Sequence, residues 1–263
     1  MCGGTYWAWL GNYYFKHHLF TVGLDKKNLV STSRLFSGLH SFFSLHIVGS
    51  PISTEPAEPN FELKQVIFGS LLGDGSLELS PRSVNPRFTF CQSSTHKDYF
   101  ILIFNFFSPF CKSLYNSYVS HDKRTNKLYT TLYFKTTSYS FFLSFYSGFY
   151  KESKKVVPLS LSLLTPLALA HWIMQDGSYH KNVGGILLCT DAFEPADVQR
   201  LADYLSNTYV LKCSLQKAPE SKKKYISQQP RSYRIYIFKG SVTRVRELVL
   251  QHLHPSLLYK LGL

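Results

Sequence analysis

The stretch Ile67-Phe68-Gly69-Ser70-Leu71-Leu72-Gly73-Asp74-Gly75 closes an apolar run that begins at Phe61. Phe61 to Leu72 has the length and apolar content of a buried helix, and Gly73-Asp74-Gly75 suits a sharp turn after it. A second run, Leu169-Ala170-His171-Trp172-Ile173-Met174-Gln175-Asp176-Gly177, ends the same way. Thr165-Pro166 marks its start, with Thr as N-cap and Pro at the first helical position. The two Asp-Gly points lie ~100 residues apart, the length of a small domain. A repeat of this kind is read before any single motif.

What surrounds each run repeats as well. After the first, strand-like segments are expected at 76–80, 87–91 and 128–136, with a helix at 97–107. In the last strand Leu128, Thr130, Leu132 and Phe134 share one face, and Tyr129, Thr131, Tyr133 and Lys135 the other. After the second run, strands fit 185–190, 211–217 and 232–238. A helix from Pro195 carries the apolar stripe Val198, Leu201, Ala202 and Leu205. The pattern predicts a duplicated α+β unit, with a first core at 61–150, a basic connector at 151–162 and a second core at 163–263. Residues 1–60 differ: they are rich in aromatics, Ser and His, and up to Thr54 their one acidic residue is Asp25. That composition fits a poorly ordered tail, a transit peptide or sequence encoded upstream of an intron frame.

Lys and Arg number 29 against 16 Asp and Glu, a net charge of +13, which suits a polyanionic partner. The five cysteines are scattered and form no C-x-x-C pair, which argues against a disulfide framework or a structural zinc site. No stretch reaches the ~18–20 apolar residues of a membrane span. A carboxylate at the end of an apolar helix needs a reason. If the two helices pack side by side, Asp74 and Asp176 meet, and two buried carboxylates repel unless a cation neutralises them. Hard divalent ions favour such oxygen ligands and support phosphodiester cleavage.

The two nonapeptides resemble the LAGLIDADG motif of the homing endonucleases. The text around the second, Leu164 to Ser178, and the closing His254-Pro255-Ser256-Leu257-Leu258-Tyr259-Lys260-Leu261 resemble the two-motif, single-chain, organellar intron-encoded branch. The resemblance covers about 61–263. It implies two pseudo-symmetric αββαββα cores, a motif-helix interface, and saddle-shaped antiparallel sheets over double-stranded DNA. It further implies a Mg²⁺-dependent, monomeric endonuclease encoded in a mitochondrial or chloroplast intron, with an RNA maturase acting on its host intron RNA as the alternative. A basic nucleic-acid-binding module without chemistry is the third reading.

Carried over by position, the resemblance makes Asp74 and Asp176 the metal-binding acidic pair, with the Gly73 and Gln175 carbonyls completing the metal shell. Lys155 supports the activated water and Gln92 holds solvent near the metals, with Asp191 as the repeat counterpart of Gln92. The DNA-facing set is Thr89, Tyr129, Thr131, Tyr133, Lys135, Lys212, Ser214, Gln216, Arg234 and Tyr236. Lys222, Lys223, Lys224 and Arg231 are added as further DNA contacts, the lysines to phosphates, which position without specifying. Two departures stand out. His171 occupies the place of a motif glycine, and the second-unit counterpart of Lys155 is open among Lys224, Arg231 and Ser232.

Overall fold

The computed structural model describes residues 58–218 and 232–263. The first half runs α1 (Phe61–Leu72), β1 (Gly75–Glu78), β2 (Arg87–Ser93), α2 (Lys97–Phe107), β3 (Asn116–Asp122), β4 (Lys127–Lys135) and α3 (Phe142–Phe149). A small hairpin of β5 (Tyr150–Lys151) and β6 (Lys154–Lys155) follows. The second half runs α4 (Pro166–Asp176), β7 (Gly177–Tyr179), β8 (Ile186–Leu188), α5 (Pro195–Tyr209), β9 (Cys213–Lys217), β10 (Tyr233–Ile237) and α6 (Lys239–Val249). Two 3₁₀ turns, Leu250–His252 and Pro255–Leu261, end the chain. Both halves are αββαββα, the α+β architecture expected.

Each half builds one antiparallel four-stranded sheet with the same connectivity: β1-β2-β4-β3 in the first and β7-β8-β10-β9 in the second. One face of each sheet packs on helices. Phe88, Phe90, Leu132 and Phe134 are buried in the first core, and Phe88 stacks on Phe107 of α2 at 4.2 Å. Ile186, Leu188, Ile235 and Ile237 are buried in the second, as is the α5 stripe Val198, Leu201, Ala202 and Leu205. Fully burying one Phe, Leu or Ile side chain contributes about 1.5–3 kcal/mol, so alternation along the strands decides which face turns inward. The pattern overreaches at Leu128, which is 71% exposed because it lies in the β3–β4 hairpin beyond the helices. Strand β3 was not anticipated: six of its seven residues are exposed, so it carries no apolar alternation, and its pairing with β4 defines it.

The motif helices α1 and α4 pack on each other. Asn60 caps α1 by accepting from the Leu63 N–H at 2.8 Å, and Thr165 caps α4 ahead of Pro166. Contact is closest at Gly69, where a Cβ would stand 2.2 Å from the Ala168 carbonyl oxygen. Backbone meets backbone there, which only glycine permits.

Two arginines fix the irregular segments that follow each half's last helix. Arg200 donates to the carbonyls of Val157 and Pro158 at 2.8 Å, and Asp197 accepts from the Val157 N–H at 2.9 Å, pinning the connector to α5. Arg246 donates to the Leu261 carbonyl at 2.6 Å, pinning the C-terminal turn to α6.

Candidate active site

The two halves deliver their aspartates differently. Asp176 is the last residue of α4, whereas Asp74 lies beyond the end of α1, past the capping Gly73. Asp74 is held from both ends: its N–H donates to Gln175 Oε1 at 2.8 Å, and its carboxylate accepts from Gln92 Nε2 at 2.8 Å. Burial raises the Asp74 pKa, opposed by the Gln92 bond and by Lys260, Lys155 and His96. Burial, then the charge of Asp74, pushes Asp176 up to about 7 against the pull of Lys155 and Lys260. Asp74 itself is exposed and Asp176 half-buried, and the two carboxylates lie close enough for the charge of Asp74 to raise Asp176.

Two lysines stand over it. Lys155 Nζ donates to the carbonyls of Gly73 at 3.2 Å and Gly75 at 2.9 Å, flanking Asp74. Lys260 Nζ donates to the Gln175 carbonyl at 2.9 Å, the same position relative to Asp176. Burial pulls Lys155 down to about 8 and lowers Lys260 as well, while both aspartates oppose the shift. Among the described residues the structural counterpart of Lys155 is therefore Lys260 and not Ser232, while Lys224 and Arg231 lie outside them. Each lysine follows the last helix of its half on a segment stapled by an arginine. Element order, rather than local spacing, is the signal that finds it.

Strand register corrects a second pairing. Gly75 pairs with Phe90 and Gly177 with Leu188, so counting onward sets Thr190, not Asp191, opposite Gln92. Thr190 is 1% exposed and donates to the Tyr233 carbonyl at 2.6 Å. Asp191 instead binds Arg234 through two bonds of 2.7 and 2.5 Å. Asp74 thus has a side-chain partner on its carboxylate that Asp176 lacks among the described residues.

A divalent ion fits this donor set. Among the described residues no cluster of three or more His, Cys, Asp or Glu could hold a metal. Two charge-coupled carboxylates with the neighbouring carbonyls of Gly73 and Gln175 suit a hard ion that fills its remaining positions with water and phosphate oxygens.

The expected DNA-facing residues divide. Tyr129 and Thr131 lie on the face of β4 away from the helices, as does Tyr133, whose ring lies 5.8 Å from that of Tyr118. Lys135 is exposed and ion-paired with Glu78 at 3.2 Å, and Glu78 also binds Arg87 at 2.8 Å. Burial raises the Glu78 pKa, but the bonds from Arg87 and Lys135 outweigh it, leaving the pKa lowered. In the second half Gln216 is exposed and Ser214 half-buried, Arg234 is held by Asp191, and Lys212 Nζ sits 5.3 Å from the Phe238 ring centre. Two expectations fail. Thr89 is 5% exposed, its hydroxyl tied to Ser76 Oγ at 2.7 Å between the flanking strands. Tyr236 is 8% exposed, because its ring fills the space beside Gly185, where a Cβ would lie 2.3 Å away. Lys222, Lys223, Lys224 and Arg231 lie outside the described residues, as does nearly all of 1–60.

With this geometry in view, comparison with known proteins defines the class. Residues 64–245 match the model of the LAGLIDADG DNA endonuclease family, and the chain belongs to that family. It is 31% identical over 212 residues to the cytochrome b mRNA maturase bI2 of Saccharomyces cerevisiae, covering 77% of this chain and 48% of that protein. It therefore spans about half the length of that relative. It is 37% identical over 132 residues to the intron-encoded endonuclease ai4 of Dictyostelium discoideum, covering 49% of this chain and 76% of the other. Among solved structures, the homing endonuclease I-WcaI bound to its DNA recognition sequence superposes with a TM-score of 0.69 at 21% identity, over 82% of this chain and 95% of that one. That likeness concerns the fold.

Proposed function

We propose that the chain is a site-specific endonuclease that hydrolyses both strands of one long double-stranded DNA target and works as a monomer. The observation that carries this reading is the shared site of Asp74 and Asp176, each beside a main-chain carbonyl held by a lysine. A bound divalent ion, Mg²⁺ in the cell, supplies activation of water and stabilisation of the leaving oxygen. The aspartates and the Gly73 and Gln175 carbonyls would hold it. Lys155, with a pKa near 8, exchanges a proton close to neutral pH, and Lys260, its pKa lowered by burial, occupies the corresponding place for the other strand. Gln92 fixes the Asp74 carboxylate and orders solvent beside it. The exposed polar residues of the two sheets, Tyr129, Thr131, Tyr133, Lys135, Lys212, Ser214, Gln216 and Arg234, read base edges in the major groove. Lys222, Lys223, Lys224 and Arg231 add further DNA contacts, the three lysines to phosphates.

Intron homing in an organelle, a mitochondrion ahead of a chloroplast, fits the cytochrome b and intron-encoded relatives. The maturase name of the yeast relative supports a second reading, binding of the host intron RNA to assist splicing. One experiment separates the two. A plasmid carrying the uninterrupted host-gene junction is incubated with the protein in Mg²⁺ or EDTA, beside a splicing reaction of the intron RNA. Linear plasmid in Mg²⁺ alone is the expected result; uncut plasmid with protein-stimulated splicing would replace the nuclease by the maturase.

A further inference from the structure

The second motif carries side chains where the first has glycines: His171 stands at the Gly69 position and Gln175 at the Gly73 position. The structure turns both into one buried polar chain. A Cβ at residue 73 would lie 2.7 Å from Gln175 Oε1, so Gly73 leaves the volume that the Gln175 side chain enters. Gln175 then crosses the helix interface. Its Oε1 accepts from the Asp74 N–H at 2.8 Å, and its Nε2 donates to Ser70 Oγ at 3.0 Å and Tyr99 Oη at 2.9 Å. With its oxygen accepting from Gln175, Tyr99 donates its own proton to His171 Nδ1 at 3.0 Å.

We infer that Gln175 is a positioning residue for Asp74: a side chain of the second half fixes the metal-facing carboxylate of the first. The inference rests on the endonuclease reading for its consequence and on hydrogen-bond geometry for its substance. Asp176 needs no such support, because α4 runs through it and sets its backbone. Asp74 lies past the end of α1, where the N–H has no helical partner and the backbone is free to turn. Ser70 and Tyr99 fix which way the Gln175 amide faces, so Oε1 points at Asp74. The consequence is one-sided. Loss of Gln175 Oε1 loosens the Asp74 half of the site and leaves the Asp176 half in place.

The test uses the full chain with Gln175→Met, which keeps the volume and removes the acceptor. Val66→Ala, in the buried core of α1 and outside the hydrogen bonds of Gln175 and Asp74, controls for lost stability. Mn²⁺ binding to the protein–DNA complex is followed by electron paramagnetic resonance, and strand-resolved single-turnover cleavage is followed beside it. In Gln175→Met one class of bound Mn²⁺ is expected to weaken by about tenfold. The ratio of the two strand rates should change with it, and Val66→Ala should alter neither. Unchanged Mn²⁺ binding, or equal slowing of both strands as in the packing control, would overturn the inference. An inactive wild type whose Mn²⁺ binding still weakens in Gln175→Met would count against the nuclease reading and keep the positioning role.

Discussion

His171 shows what a single residue does in this fold. It is fully enclosed, and burial, helped by the charge of His252, lowers its pKa to about 3. The imidazole is therefore neutral in the folded chain and charged in the unfolded one below its ordinary value of 6.5. A group whose folded pKa is depressed contributes stability that is fully present above 6.5 and is lost as pH falls from there toward 3. Urea unfolding in EDTA at pH 7.5 and pH 5 should show a loss of stability on acidification that is smaller in His171→Gln. Equal losses in the two proteins would show that His171 is not buried neutral. The sequence marked His171 as a departure from the motif, yet its meaning depended on Tyr99, 72 residues away and in contact only after α2 docks. The same holds for Lys260. It stood inside a recognised segment, but its role depends on the turn pinned by Arg246.

Elements carry most of what could be read in advance. The helices at 61–72 and 97–107 fall where the apolar pattern predicts, because burial supports both and the Asn60 cap supports the first. Strand β3 escaped for the opposite reason: with both faces wet, only its hydrogen bonds to β4 define it, and those are not local. The packing of α1 on α4 is the element on which the site depends, and Gly69 is its narrowest point. Gly69→Ala forces a methyl group against the Ala168 carbonyl, which cannot move without shifting α4. Overpacking of this kind costs about 1–3 kcal/mol. A thermal melt should fall by several degrees and cleavage of both strands should drop together. A melting temperature equal to wild type would mean that the helices cross further apart than this structure has them.

At the scale of the whole molecule, two halves of one connectivity place their sheets, lysines and aspartates in corresponding positions, but not with equal support. Asp74 borrows Gln92 from its own sheet and Gln175 from the other half, while Asp176 stands at its helix end beside an Asp191 already claimed by Arg234. Duplication was legible from two nonapeptides alone. The asymmetry was not, since it arises from strand register and from contacts between halves. The central claim is that the acidic pair forms one site that cuts both strands. The direct measurement is Mg²⁺-dependent cleavage of the uninterrupted junction by wild type, Asp74→Asn and Asp176→Asn, with DNA affinity measured in parallel. The account predicts that each variant keeps DNA binding and loses double-strand cutting by at least about a hundredfold, the range expected when a group stabilising the transition state is removed. Full double-strand cutting by either variant would contradict it.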